Sequence, residues 1–264
     1  MTVRAGAVAS SAISKPVTAI SIRNVSKTYG DGRSAVTALE EVSFEVAKGE
    51  FACLLGASGC GKSTLLNLIA GIYRIDQGSI DTGENRIGLM FQESALFPWL
   101  TVRKNIEMAM RFQGTEKTAR IERVDELLAL VQLEAFGEKR PHELSGGMQQ
   151  RVSLARALAQ DADILLMDEP FAALDAMTRD ILHDEFEQIW ARSGMTVLFV
   201  THNVREAVRL GDRVVLLSSR PGKVAAEIPT NLERPRNIDA PEVGRLTAEI
   251  TDRLRQEVRR HVGD

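Results

Sequence analysis

The most specific chemistry in the chain lies in one run: Gly56-Ala57-Ser58-Gly59-Cys60-Gly61-Lys62-Ser63-Thr64. It matches G-x-x-x-x-G-K-[ST], in which glycines let the backbone wrap until its N–H groups point at phosphate oxygens. Lys62 supplies charge for the β- and γ-phosphates, and the Ser63 hydroxyl is a hard oxygen ligand for Mg²⁺. Cys60 sits inside the run, beside Lys62 and an expected helix start. That setting predicts a lowered thiol pKa and an opening to alkylation; no catalysis is assigned to it. A second cluster is Asp168-Glu169-Pro170, directly after the apolar run Ile164-Leu165-Leu166-Met167. Two carboxylates at a strand end suit one role each: Asp168 to hold the metal, Glu169 to polarise an attacking water.

These residues need particular elements behind them. The phosphate loop requires a strand before it and a helix after it, and the sequence offers both: apolar Phe51 to Leu55, then helical spacing from Ser63 to Ala70 stopped by Gly71. Residues 18–55 read as β structure, with alternation at Ala19-Ile20-Ser21-Ile22 and at Val42-Ser43-Phe44-Glu45-Val46. Further strands are expected at Ile80, Ile87 to Phe91, Ile164 to Met167, Val197 to Val200 and Val214 to Leu217. Between Val102 and Gln160 the spacing is helical, with Ile121, Val124, Leu127, Leu128 and Val131 on one face. Strands alternating with helices predict a mostly parallel sheet covered on both sides. A last amphipathic helix carries Val243, Leu246, Ile250, Leu254 and Val258.

Composition bounds the rest. The 264 residues are 44% hydrophobic and 26% charged, enough to bury a core and too apolar for general disorder. A net charge of −3 lacks the basic excess of a dedicated nucleic-acid binder, so no nucleic-acid partner is expected. No apolar run is long enough to span a bilayer. Two cysteines, Cys53 and Cys60, form neither a disulfide framework nor a zinc pattern, which points to a reducing compartment. Residues 1–17, rich in Ala and Ser, are expected to be a disordered tail.

Further motifs identify a family. Leu144-Ser145-Gly146-Gly147-Met148-Gln149-Gln150-Arg151 resembles the signature sequence of ABC-type ATPases. Gln92 stands where that family's Q-loop glutamine is expected, Ala173-Leu174-Asp175 looks like its D-loop, and Thr201-His202 like its switch histidine. Tyr29 matches the aromatic that stacks on adenine. The resemblance covers about residues 18–235. It implies an α/β fold: a RecA-like P-loop core of residues 18–91 and 161–235 with a mostly parallel sheet and an antiparallel β subdomain. An all-helical subdomain, 92–160, is inserted, and a helical tail occupies 236–264.

The same resemblance implies ATP and Mg²⁺ as ligands, with Ser63, Gln92 and Asp168 at the metal and Glu169, His202 and Gln92 in hydrolysis. It also implies a head-to-tail homodimer in which Ser145, Gly147 and Gln149 of one copy cover the nucleotide of the other. A Ser-Gly-Gly at a helix start is itself an anion site, so one chain holds two anion-binding devices. The family further implies peripheral attachment at the cytoplasmic face of the membrane to a permease, received around Leu96-Phe97-Pro98-Trp99-Leu100. Segments Phe97-Pro98-Trp99, Met167 to Arg179 and Ser218 to Val224 look like the ATPases of bacterial nitrate, sulfonate and taurine importers, which work with a substrate-binding protein. One departure is Asn203, where that group usually has an acidic residue. An exporter or lipoprotein-releasing ATPase, or a non-transport ABC ATPase, is the alternative.

Overall fold

The computed structural model describes residues 17–262; the tail expected over residues 1–17 lies, save Val17, outside the described residues. The chain opens with β1 (Thr18–Tyr29) and β2 (Val36–Ala47), then β3 (Phe51–Leu55) and α1 (Lys62–Ile69). Next come β4 (Gln77–Asp81) and β5 (Ile87–Met90). Three helices follow: α2 (Val102–Phe112), α3 (Lys117–Leu130) and α4 (Gly146–Leu158). The chain then returns through β6 (Ile164–Asp168), α5 (Ala176–Ser193), β7 (Thr196–Thr201), α6 (Val204–Leu210) and β8 (Arg213–Leu217). It closes with β9 (Val224–Pro229) and α7 (Pro241–Val262).

Two sheets result. The six-stranded sheet runs β5-β6-β7-β3-β8-β9, parallel throughout except for antiparallel β9 at one edge. A three-stranded antiparallel sheet, β2-β1-β4, lies apart from it. The central strands read as unbroken apolar runs because both faces are covered. Alternate residues serve different cores: Phe51, Cys53, Leu55, Met167 and Phe199 pack with the helical region, whereas Ala52, Leu54, Leu166 and Val200 pack with α1 and the antiparallel sheet.

The expected elements are present, with two differences. Strand β9 was not foreseen: its side chains alternate only weakly in burial, and it gains its pairing from β8 rather than from its own pattern. Ile121 is 45% exposed, because α3 buries Val124, Leu127 and Leu128 from its later turns. The final helix turns back onto the same chain, with Val243 and Ile250 buried in the larger core and Leu246 and Leu254 packed against it. Its approach is fastened by Arg236, whose buried guanidinium donates to the carbonyls of Val208, Arg209 and Gly211 and so satisfies the C-terminal end of α6.

Candidate functional site

The sheet order sets the site. Strands β6, β7, β3 and β8 are parallel neighbours, so the loops after them all emerge at one carboxyl edge. There they deliver Asp168 and Glu169, His202, the phosphate loop and Arg220, side by side. A cavity of about 330 Å³ lies along this edge, lined by Ser58, Gly59, Gly61, Lys62, Ser63, Thr64, Gln92, Glu169 and Arg220, with Tyr29, Val36 and Ala38 along another part of its wall.

The phosphate loop is held in shape locally. Gly61 precedes α1 at φ +99, and a Cβ there would stand 2.7 Å from Leu39 Cδ2 and 2.8 Å from the Ala38 carbonyl oxygen. Only glycine meets both demands at this position. Lys62 is buried, its Nζ donating to the carbonyls of Gly56 and Ala57 at 2.9 Å each. Gly56 and Ala57 therefore shape the base of the loop and orient the lysine, while Ser58, Gly59 and Gly61 to Thr64 face the cavity. Cys60 differs from expectation. Its side chain is buried under the loop, and burial pushes its thiol above the ordinary range, outweighing the nearby Lys62 ammonium that draws it down. The expectation of a lowered thiol pKa is thereby corrected: the side chain is packed, and burial outweighs the charge beside it.

The acidic strand end is as foreseen from the residues. Burial raises the Asp168 carboxyl above its usual range, and neighbouring Glu169 raises it further, against a hydrogen bond with the Ser63 side chain and the charge of Lys62. Glu169 holds a left-handed backbone at φ +48, unusual for a side-chain-bearing residue, and its N–H donates to the Val200 carbonyl at 2.9 Å. Its carboxylate Oε1 lies 3.0 Å from His202 Nδ1. Behind the pair, Thr201 Oγ1 donates to Glu206 Oε2 at 2.7 Å and accepts from the Asn203 N–H at 2.9 Å. Asn203 in turn caps α6, its Oδ1 accepting from the Arg205 N–H at 3.0 Å, so the amide keeps the capping function of the absent acidic residue. Arg179 reaches Glu206 at 3.6 Å and donates to the Leu174 carbonyl at 2.6 Å, linking the turn that bears His202 to the 171–175 segment.

The Ser63 side chain hydrogen-bonds Asp168 and lines the cavity together with Gln92, so hard-oxygen groups of the expected kind lie at this edge. Among the described residues no group of three or more His, Cys, Asp or Glu could hold a metal by itself. This sparse set fits a cation that takes its remaining ligands from phosphates and water, as Mg²⁺ does. Ser145 and Gly147 are outside the cavity of their own chain. Ser145 caps α4, accepting from the Met148 N–H at 3.3 Å, and a Cβ on Gly147 would be 3.3 Å from the Ala173 carbonyl oxygen. Gln149 is engaged within its own chain: its amide donates to the carbonyls of Pro141 and Leu144 and accepts from Ser94. These bonds hold the loop before α4. Tyr29 stands edge-on to Tyr73 with ring centroids 6.2 Å apart, leaving it part-exposed at the cavity.

Arg220 was missed as a site residue. The signal was present, since Ser218 to Val224 carried part of the family resemblance, but nothing local in that segment points at the phosphate loop. Elsewhere, the end of β5 and α2 frame a second, more apolar cavity of about 590 Å³, lined by Phe91, Ala95, Phe97, Met108, Ala109 and Phe112 among others. Trp99 and Phe112 stand 68% and 83% exposed beside it. No helix among the described residues is long and apolar enough to cross a membrane.

Comparison with known proteins agrees with this geometry. Residues 39–172 match the ABC transporter family. The chain is 41% identical over 252 residues to the nitrate import ATP-binding protein of Synechocystis sp., covering 89% of this chain and 95% of that one. It is 42% identical over 219 residues to a taurine import ATP-binding protein of Jannaschia sp., covering 80% and 82% respectively. A dimeric ATP-binding cassette solved in a post-hydrolysis state with ADP and Pi superposes with a TM-score of 0.74 at 33% identity, over 81% of this chain and all of the other. With the phosphate loop, the acidic strand end and the histidine pair at one sheet edge, this chain belongs to the ABC transporter family, as one of its ATP-binding, ATP-hydrolysing subunits.

Proposed function

We propose that the chain powers a bacterial importer of small oxyanions of the nitrate, sulfonate or taurine type, as a head-to-tail homodimer docked peripherally on the cytoplasmic face of a membrane permease. The observation that carries the ATPase mechanism is the Glu169–His202 pair at 3.0 Å, set beside a cavity whose floor is the phosphate loop. Loop N–H groups and Lys62 take the β- and γ-phosphate charge, so the phosphoryl group is positioned and neutralised before attack. Ser63, Asp168 and Gln92 would hold Mg²⁺, which supplies charge neutralisation on the phosphates when bound. Glu169 accepts a hydrogen bond from the attacking water and aims it at the γ-phosphorus; His202 orients that carboxylate and contacts the γ-phosphate.

Ser145 and Gly147 lie outside their own chain's cavity, which supports a role across the dimer. There the cap of α4 and its N–H groups would close over the partner's γ-phosphate. Closure then depends on ATP and opening follows hydrolysis, a two-state element that the permease can follow. The apolar cavity between β5 and α2, with exposed Trp99 and Phe112, supports permease docking at and beside residues 96–100. A substrate-binding protein in the same system would deliver the anion, consistent with the import proteins this chain resembles.

The test is purification of the tagged chain from gently solubilised native membranes. Recovery of a multi-span permease whose binding protein takes nitrate, sulfonate or taurine is expected. Recovery of ribosomes, nucleic acid or soluble proteins alone would overturn the transport reading. In the same preparation Glu169→Gln should bind ATP and dimerise yet turn over at least about a hundredfold more slowly. Near-normal turnover would remove Glu169 from its role.

A further inference from the structure

We infer that Arg220 is a nucleotide-positioning residue, its guanidinium bonding the α-phosphate and ribose oxygens of the bound nucleotide. The inference rests on the nucleotide reading of the cavity and deepens it. Arg220 belongs to the connection between β8 and β9. Because β8 pairs with β3, with Leu216 opposite Leu55, that connection emerges directly beside the phosphate loop. Arg220 Nε donates to the Gly59 carbonyl at 3.2 Å, and a Cβ on Gly59 would be 3.1 Å from Arg220 Nη2. The guanidinium thus lies against the loop at Gly59 and forms part of the cavity wall.

The connection is built to hold that pose. Ser218 Oγ accepts from the Lys223 N–H at 2.9 Å and donates to the Pro221 carbonyl at 3.0 Å, closing the turn around Arg220. Gly222 then pairs with β2 on both sides, donating to the Ala38 carbonyl at 2.9 Å and accepting from the Glu40 N–H at 3.0 Å. A Cβ on Gly222 would collide with the Cys60 carbonyl, so the turn is seated directly on the phosphate loop. The neighbouring cation is already committed, Lys223 Nζ lying 3.1 Å from Glu40. Among the described residues no carboxylate pairs with Arg220, which uses a single donor of its five on the protein.

Sheet order says which part of the nucleotide it meets. Strands β6 and β7, which carry Glu169 and His202, lie on one side of β3, and β8 lies on the other. The γ-phosphate faces Glu169, so Arg220 stands toward the opposite end, on the side of Val36 and Ala38 of β2. A contact there is shared by ATP and ADP and does not change during hydrolysis. It therefore serves affinity rather than rate.

Affinities of the full-length protein and of Arg220→Gln and Arg220→Lys for ATP and ADP test this, alongside melting of each without nucleotide. Arg220→Gln keeps an N–H donor for the Gly59 carbonyl but loses the charge. It should weaken ATP and ADP alike by about tenfold, with KM for ATP rising by about that factor and kcat falling less than about twofold. Arg220→Lys should recover most of the loss, and melting temperatures without nucleotide should agree. Wild-type ADP affinity in Arg220→Gln, a loss confined to ATP, or a matching fall in melting temperature would each overturn the assignment. Failure of the unaltered protein to bind either nucleotide would instead sink the nucleotide reading itself.

Discussion

Glu169 and Cys60 show how differently two residues of one site are governed. Glu169 follows a buried strand, and its left-handed backbone at φ +48 is a local cost kept where the carboxylate meets His202. Cys60 has the neighbours of a reactive thiolate, Lys62 and the start of a helix, yet its thiol is pushed up because burial outweighs the favourable charge. Maleimide treatment of the native protein at pH 7 should accordingly leave Cys60 unmodified on the timescale in which the unfolded chain is fully labelled. Mass spectrometry of the tryptic peptide reads the outcome, and rapid native labelling would restore the thiolate expectation.

Helix α5 illustrates a property that belongs to an element. Its residue His183 is buried edge-on to Phe171, with ring centroids 4.6 Å apart, and neither ring nitrogen has a hydrogen-bond partner. Burial, with Arg209 and Arg179 close by, pushes the imidazole from 6.5 down to about 3. The folded protein therefore refuses a proton that the unfolded chain accepts below about pH 6.5. Stability falls as pH drops from there toward 3, by up to about 1.4 kcal/mol per unit from this group. His183→Leu should flatten the dependence of urea midpoint on pH between about 4 and 6.5 relative to the parent. Parallel curves would show that His183 does not titrate against folding.

At the scale of the whole molecule, the helical region and the sheet share one continuous apolar core, from Val124 and Leu128 through Phe171 to Phe199 and Ile250. A load applied at the helical region is thus transmitted through packed side chains to the strands bearing the site. The exposed face around Trp99 and Phe112 is where such a load would enter. Replacing both by alanine should reduce recovery of the permease with the tagged chain about tenfold or more, while ADP affinity of the isolated chain is retained. Undiminished recovery would move the docking surface elsewhere.

Several features were legible in the residues because their chemistry is contiguous. The strand, loop and helix around Lys62 are adjacent in the chain, as are the apolar run and the carboxylates of Asp168 and Glu169, so local pattern implied both structure and chemistry. The α/β class followed for the same reason, from apolar runs separated by helical spacing. Other features depended on which distant segments meet. Gly59 and Arg220 are 161 positions apart and touch only because β3 and β8 pair in parallel. The burial of Cys60, the engagement of Gln149 within its own chain and the strand identity of β9 likewise follow from packing and pairing partners far away in sequence. Sequence alone determined the kind of chemistry, because short-range geometry is written in adjacent residues. The tertiary structure alone decided which groups are desolvated and which donors are left facing the cavity, because burial and donor occupancy are properties of assembled neighbours.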